Sequence, residues 1–287
     1  MSKSGFTLIE ISIVLVIIGL IVGGILTGQE LIKASQRRAI LSEVEKLKTA
    51  VMTFQSKYNA IPGDMANATT FWGDCACGGG WSGSLSSTAT NNGNGNGLID
   101  GSFNGGVDGY CDGKNYMSVL CDDEPYYFWK HLANAGLINN SYTGTLLSLD
   151  GSTRIQTIGQ NIAPSTVNPK WGYSVQYMCL NTGGPMYFSN NNFCGNAISL
   201  GTAEPSPSHD YENLSAYSAF SPLDAMLIDS KIDDGKPGSG SVNSPPKGSY
   251  FSTAGTSNCT TSATASASAY NTSVNTPECS LFFLGGF

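Results

Sequence analysis

Charged residues are scarce in this chain of 287 residues, since Asp, Glu, Lys and Arg make up only 12% of it, about half of the usual share in soluble proteins. Only two histidines are present, His131 and His209. No G-x-S-x-G, P-loop or H-E-x-x-H pattern occurs, so the sequence lacks the common signatures of hydrolases, nucleotide-binding proteins and zinc proteases. Glycine, asparagine and serine are plentiful instead, which indicates an exposed, loop-rich protein and not a compact cytosolic enzyme.

The first sixty residues contain neither proline nor cysteine, because the first of each are Pro62 and Cys75. No proline therefore interrupts a helix before position 62. Residues 6–26 carry a single charge, at Glu10, and 21 residues in a helix are long enough to cross the core of a bilayer. Apolar residues then recur at spacings of three and four, which is the stripe of an amphipathic helix: Ile40, Val44, Leu47, Val51, Phe54 and Tyr58.

One helix over residues 6–58 joins these two patterns. Its first part, residues 6–28, is apolar all round and is predicted to form the core of a membrane span. Its second part, residues 29–58, has one face to bury against a globular head of residues 59–287.

Glu10 is the anomaly in the apolar segment. A carboxylate inside a membrane-spanning run costs on the order of 3 kcal/mol on insertion scales, so its presence usually marks a function. The alternative is a charge near a helix end whose side chain reaches the polar surface. The residues around Glu10 favour the functional interpretation.

Residues 2–21, SKSGFTLIEISIVLVIIGLI, resemble the type III signal of type IV prepilins and of the pseudopilins of type II secretion. The match consists of a short polar leader with a lysine, Gly5 before the cleavage point, Phe6 after it, and Glu10 four residues further on. The resemblance implies that residues 1–5 are a leader, removed between Gly5 and Phe6 by a membrane aspartyl prepilin peptidase, and that Phe6 is then N-methylated. It also implies that Glu10 pairs with the Phe6 amino group of a neighbouring subunit, which would set the register of assembly.

All eight cysteines lie in the predicted head, at positions 75, 77, 111, 121, 179, 194, 259 and 279. An even number of cysteines in the polar part of the chain favours disulfides in an oxidising compartment. The zinc alternative has little support, because Cys75-x-Cys77 and two scattered histidines do not form paired ligand motifs. We predict the local pairs Cys179–Cys194 and Cys259–Cys279. The remaining four, Cys75, Cys77, Cys111 and Cys121, would pair among themselves with a connectivity that the sequence leaves open.

Two segments are candidates for calcium. Asp229, Asp233 and Asp234 precede a tight turn, and this pattern is similar to the C-terminal loop by which major pseudopilins bind calcium; the alternative is a solvated turn after a helix. Residues 92–100 place asparagine oxygens at alternate positions around a glycine, but asparagine lacks the charge that drives affinity. A plain Asn/Gly turn is the alternative there.

The head is predicted to be α+β, with an antiparallel sheet packed on the long helix and with long, disulfide-stapled loops. Helices are expected over residues 124–138, with Gly136 as terminator, and over residues 222–232. The apolar residues 281–287 are expected to join the sheet, and the Ser/Thr/Ala-rich residues 252–276 to form a mobile loop. Alternating segments predict five strands: Thr145–Leu149, Arg154–Ile158, Trp171–Leu180, Met186–Phe188 and Ala197–Leu200.

The net charge is +3 over residues 1–58 and −10 over residues 59–287, so the head should not bind nucleic acid directly. The leading interpretation is a structural subunit, without chemistry of its own, of a type IV pilus or pseudopilus-like filament. Its partners would be copies of itself or related pilins, the prepilin peptidase and an inner-membrane assembly platform. The precursor would cross the inner membrane once with a periplasmic head, and the mature subunit would enter a filament at the cell surface or in the periplasm. The alternative is a membrane-anchored periplasmic enzyme or binding protein with a simple N-terminal anchor.

Overall fold

The long N-terminal helix α1 dominates the computed structural model, which describes residues 7–75, 87–99, 124–145, 156–179, 193–203, 217–247, 257–285 and 287. Helix α1 runs over Leu8–Tyr58, 51 residues, without a break. Thr7 caps its first turn, and Asn59 ends it in the left-handed conformation (φ 52°), which asparagine tolerates better than most residues do. The single helix predicted from the sequence is thus present.

Only the second half of α1 is buried, on the stripe that the sequence predicts. Its buried residues are Ile40, Val44, Leu47, Ala50, Val51 and Phe54. They form one core with the sheet and with the shorter helices of the head. Those helices are α2 (Ala68–Trp72), α3 (Glu124–Asn134) and α4 (Pro222–Ile232).

A five-stranded antiparallel sheet forms the other layer, which confirms the predicted α+β class. Its strands are β1 (Ala163–Pro164), β2 (Trp171–Cys179), β3 (Cys194–Thr202), β4 (Val242–Asn243) and β5 (Leu281–Leu284). Their order is β1-β2-β3-β5-β4, so the predicted apolar tail supplies a strand inside the sheet. All four side chains of β5 are buried, which explains the unbroken apolar run LFFL.

The other strand predictions have different outcomes. The strand predicted at 197–200 is longer at both ends, and the one predicted at 171–180 is β2. Residues 146–149 and 186–188 lie outside the described residues, and of residues 154–158 the described part contains only an isolated bridge from Ile158 to Ile162.

Helix α3 departs from the amphipathic helix that the sequence predicts. Its residues from Glu124 to Leu132 are all buried, and the helix ends at Asn134, shortly before Gly136 at φ +72°. The face expected in solvent is covered by a segment of residues 87–99, which we call the strap. Side chains of Lys130 and Asn134 donate hydrogen bonds to strap carbonyls. A local sequence pattern cannot show such cover, because the strap is remote in sequence.

Candidate functional site

The first half of α1 has no cover from the head. Every large apolar side chain from Leu8 to Ile32 is exposed, Leu8 by 90% and Leu20 by 73%. Among the described residues, α1 is the one helix long and apolar enough to cross a membrane. An apolar surface of this size is unfavourable in water, so a bilayer or other chains must cover it.

Glu10 lies in the first turn of this exposed segment, and its carboxylate is bound by Thr7. The backbone N–H and the hydroxyl of Thr7 each donate to Oε2 of Glu10 at 2.8 Å. The N–H of Glu10 donates to the Thr7 hydroxyl at 3.4 Å in return. This reciprocal capping box satisfies helix-end donors and places the carboxylate at the positive end of the helix dipole.

Thr7 is a residue that the sequence analysis missed, although the pattern T-x-x-E at residues 7–10 is a recognisable capping box. Gly5 and Phe6 lie outside the described residues. The cleavage and methylation expected there remain expectations.

Two polar clamps attach the head to α1. One lies just before the buried stripe, at Arg37, and the other lies within it, at Glu43. Arg37 donates to Asp224 at 2.8 Å, near the first turn of α4. About one and a half turns further along α1, the carboxylate of Glu43 accepts hydrogen bonds from the two residues that follow strand β1 and from strand β2. Its donors are the Ser165 hydroxyl at 2.8 Å, the Thr166 N–H at 2.8 Å, the Thr166 hydroxyl, and the Tyr173 hydroxyl at 2.6 Å.

The Glu43 clamp is polar but sits beside the core. Burial, with the charge of Glu43 beside it, raises the pKa of Tyr173 well above its usual value, so this hydroxyl keeps its proton and remains a donor. The clamp therefore fixes the helix relative to the sheet at neutral pH.

The acidic cluster lies at the end of α4. Ligand atoms of Asp229, Asp233 and Asp234 all lie within 4.8 Å of one another, as the sequence spacing implies. Asp229 is fully buried and accepts hydrogen bonds from the Tyr270 hydroxyl at 2.8 Å and from the Gly235 N–H at 3.2 Å. Burial, together with a hydrogen bond to Asp233, raises the pKa of Asp229 to about 8.

The pKa of Asp233 is shifted in the opposite direction from that of Asp229. Burial raises its pKa, but hydrogen bonds from Asp229 and from backbone N–H groups outweigh that effect, and the pKa of Asp233 is lowered overall. Those donors include the Asp234 N–H at 2.7 Å, the Val242 N–H at 3.0 Å and both the N–H and the hydroxyl of Ser241. The two carboxyl groups thus hold one proton between them, mainly on Asp229.

The turn opposite the cluster depends on glycine. Gly240 has φ +77°, and a Cβ at this position would collide with Oδ2 of Asp233. Asp234, which is exposed, accepts hydrogen bonds from the Lys236 N–H at 2.9 Å and from the Ser239 hydroxyl at 2.7 Å. The chain therefore closes around the carboxylates through backbone donors.

Tyr270 is the second residue that the sequence analysis missed, because it lies 41 positions from Asp229. Its segment is held by a bridge to Thr260 and by the Cys259–Cys279 disulfide, whose Cα atoms are 4.9 Å apart. The described part of the predicted mobile loop is irregular in shape and hydrogen-bonded, and its mobility stays a prediction.

The disulfide predictions are supported where the structure describes them. Cys259–Cys279 is confirmed, and Cys75 and Cys194 are also disulfide-bonded. The register of β2 and β3 places Cys179 directly opposite Cys194, in accord with the second predicted pair. Cys77, Cys111 and Cys121 lie outside the described residues.

His131 is a structural residue and not a base in a cleft. Its side chain is fully buried and stacks on Phe54 and Trp72. Its Nδ1 accepts from the Gly63 N–H at 3.0 Å, so Nε2 carries the proton and donates to the Asn91 carbonyl at 3.1 Å. Burial lowers the pKa of His131 to about 4, despite the opposing effect of the Asn91 carbonyl. His209 lies outside the described residues.

Comparison with known proteins identifies the N-terminal segment. A model of the prokaryotic N-terminal methylation motif matches residues 1–26, so the chain carries the signal of the type IV pilin and pseudopilin superfamily. No curated protein and no solved structure matches the chain. The motif and the apolar helix together support a type IV pilin-like subunit.

Proposed function

We propose that this chain is a structural subunit of a type IV pilus or pseudopilus-like filament, assembled from a pool in the inner membrane. Prepilin peptidase would cleave it between Gly5 and Phe6, and Phe6 would then be N-methylated. The observation that carries the proposal is the exposed apolar half of α1, which begins at the methylation motif. A bilayer would cover this surface first and the helices of neighbouring subunits afterwards.

The Thr7–Glu10 capping box supports a specific order of events at assembly. In the separate subunit the carboxylate of Glu10 is held by its own helix end. An amino group of a neighbouring Phe6 carries a full charge, and a charge-assisted hydrogen bond is stronger than a neutral one. The neighbour's amino group would therefore displace the Thr7 donors and align the two helices.

The alternative function is a membrane-anchored periplasmic enzyme or binding protein. It needs only an apolar anchor, so neither the cleavage point nor the carboxylate at position 10 would matter. The methylation motif and the absence of common catalytic patterns favour the filament subunit.

Mutation of Glu10 separates these functions. We expect Glu10→Ala to leave the subunit inserted and its head folded, while filament yield falls severely, because the intersubunit pair is lost. Glu10→Asp is the matched control, since it keeps the charge and should retain part of the yield. Intact-mass spectrometry of the wild-type subunit should show a chain that begins at methylated Phe6.

Two results would contradict the filament proposal. The first is a mature chain that retains residues 1–5 without methylation. The second is a Glu10→Ala variant that forms filaments at the wild-type level.

We further propose that Asp229, Asp233 and Asp234 hold Ca²⁺. The residues fit such an ion, because oxygen atoms that lie 2.3–2.6 Å from one centre are separated by about 5 Å at most, and the carboxylate atoms lie within 4.8 Å of one another. The ion would replace the proton that Asp229 and Asp233 share, and it would fix the turn before Pro237.

The calcium proposal is tested by thermal unfolding with Ca²⁺ or EDTA. A ligand that binds only the folded state adds about 2.7 kcal/mol at a hundredfold excess over Kd, so Ca²⁺ should raise the Tm of the wild type. Asp233→Asn should abolish this gain, whereas Asp224→Asn, at the other end of α4, should keep it. A wild-type Tm that does not change with EDTA would show that the cluster is an ordinary turn.

A further inference from the structure

The strap contains three successive Asn-Gly pairs, at residues 92–93, 94–95 and 96–97. The structure gives the asparagines the role of turn residues. Their side-chain oxygens accept backbone N–H groups of Thr69, Asn96 and Leu98, respectively. Asn94 and Asn96 thus accept from the N–H two residues further on, as in local Asn turns, whereas Asn92 accepts from a remote segment; the weak calcium loop over residues 92–100 stays a prediction.

These turns wrap around the carboxylate of Asp64, which is only 4% exposed. The Gly95 N–H donates to Oδ1 of Asp64 at 2.7 Å and to its carbonyl at 3.0 Å. The Gly97 N–H donates to Oδ2 at 2.9 Å. In the first pair, by contrast, the Gly93 N–H donates to the backbone carbonyl of Met65 at 3.0 Å.

Glycine is required at these positions by the backbone. Gly95 and Gly97 have φ +77° and +88°, and a Cβ on Gly93 would collide with the backbone of Gly63 and Asp64. Such conformations and close approaches favour glycine over any other residue. The strap thus needs the Asn-Gly pairs for its shape.

Asn-Gly pairs have a chemical weakness. The backbone nitrogen that follows the asparagine loses its proton and attacks the side-chain Cγ, a new C–N bond forms, and the side-chain nitrogen leaves as ammonia. Water then opens the resulting succinimide ring to aspartate or isoaspartate. Glycine offers no side chain to obstruct this attack, and its flexible backbone lets the nitrogen reach the Cγ.

We propose that Asp64 protects Asn94 and Asn96 from this deamidation, so that both are latent modification sites guarded by one carboxylate. The nitrogens that must attack, those of Gly95 and Gly97, direct their N–H bonds at Asp64 and are thereby turned away from ring closure. The negative charge of Asp64 also opposes the loss of their protons, because it disfavours a second negative charge nearby. The charge effect is absent at Asn92, because the Gly93 N–H donates to the neutral carbonyl of Met65.

The first test compares the folded wild-type protein with a synthetic peptide of residues 88–99 in the same mildly alkaline buffer. Peptide mapping by mass spectrometry measures the conversion of each asparagine over time. We expect slow conversion of Asn94 and Asn96 in the protein and fast conversion in the peptide. Equal rates in protein and peptide would overturn the proposal.

The second test uses Asp64→Asn, which removes the charge with little change in shape. A change of one pKa unit alters an ionised fraction about tenfold, so we expect the rates at Asn94 and Asn96 to rise by about tenfold or more, with little change at Asn92. Asp224→Asn, which removes a different hydrogen-bonded carboxylate, should leave all three rates unchanged. A folded Asp64→Asn protein with wild-type rates, or with equal acceleration at Asn92, would overturn the proposal.

If Asp64→Asn does not fold, hydrogen exchange of the wild-type protein replaces it. Gly95 and Gly97 are exposed to solvent, so slow exchange of their amides would show that Asp64 holds them. Exchange as fast as in the peptide would overturn the proposal.

Discussion

At the scale of single residues, the head is held together by buried polar groups whose charge state is fixed by their partners. His131 is the clearest case, because its two ring nitrogens join the end of the α1 exit, at Gly63, to the strap, at Asn91. Both hydrogen bonds require the neutral ring. A second proton would leave the Gly63 N–H without its acceptor and would bury a charge.

The first prediction at this scale is a loss of stability in mild acid. The folded pKa of His131 is about 4, below the usual value of about 6.5, so its contribution is complete above pH 6.5, falls as the pH drops, and is lost at pH 4 and below. The pKa difference corresponds to about 3 kcal/mol in the free energy of unfolding. Urea unfolding between pH 7 and pH 4 measures this loss.

His131→Asn is the variant to compare, since it can accept from Gly63 without titrating. It should be less stable at pH 7 but should lose much less stability on acidification. The same pH dependence in both proteins would show that other groups cause it.

At the scale of elements, the sequence correctly predicts the helices and strands whose burial follows from their own pattern of apolar residues. Helix α4 occupies Pro222–Ile232, as predicted, because Ser221 caps it, Pro222 starts it and Asp224 accepts the Ser221 hydroxyl. Strand β2 was also predicted, from its alternating sequence, although residues 172–175 are buried on both faces of the sheet. Helix α3 was also predicted, but the burial of its second face was not, since the strap that covers this face is distant in sequence.

The acidic cluster shows the same limit. The three aspartates could be found from their spacing, because they lie within six residues of one another. Tyr270 and Ser241 could not, since a disulfide and the chain turn at Gly240 bring them there. Sequence patterns report local neighbours and say little about partners that tertiary structure supplies.

The second prediction concerns the attachment of α1 to the sheet. Glu43→Ala removes an acceptor of four hydrogen bonds, and bonds to a charged group contribute about 1.5–3 kcal/mol each without being additive. We expect a loss of about 3 kcal/mol in the free energy of unfolding of the head. Chemical denaturation measures it.

Glu45→Ala is the matched control, two residues further along the same helix. Glu45 is exposed, and its side chain makes no hydrogen bond with the described part of the head, so its loss should change stability by less than about 0.5 kcal/mol. A similar effect from both substitutions would mean that Glu43 acts only through helix propensity or surface charge.

At the scale of the whole molecule, one helix serves two environments. Its exposed apolar half contributes nothing to the described head, and its buried residues begin at Ile40. With the described part of the head, the Arg37–Asp224 clamp is the first hydrogen-bonded contact along α1. The first half of α1 is therefore available for membrane or filament contacts, and the second half stabilises the head.

The third prediction follows from this separation. Deletion of residues 1–32 should give a soluble head whose urea midpoint matches that of the full chain in detergent, because the removed side chains are exposed. Sedimentation and circular dichroism measure solubility and stability. Deletion of residues 1–44 is the informative contrast, since it also removes Arg37, Ile40 and Glu43 and should destabilise the head.

An insoluble product after deletion of residues 1–32, or a clearly lower midpoint, would show that the apolar half supports the head. In that case α1 would be a single structural unit.

The position of β5 also fixes an order in time. Residues 281–284 lie between β3 and β4 inside the sheet, so the sheet cannot be completed until they have been synthesised and, for an exported head, have crossed the membrane. A ribosome makes the chain from the other end, and the apolar helix therefore emerges more than two hundred residues earlier. During that interval a subunit has its exposed apolar helix but no finished head, and a chain that stops early differs from a complete one because its sheet lacks β5.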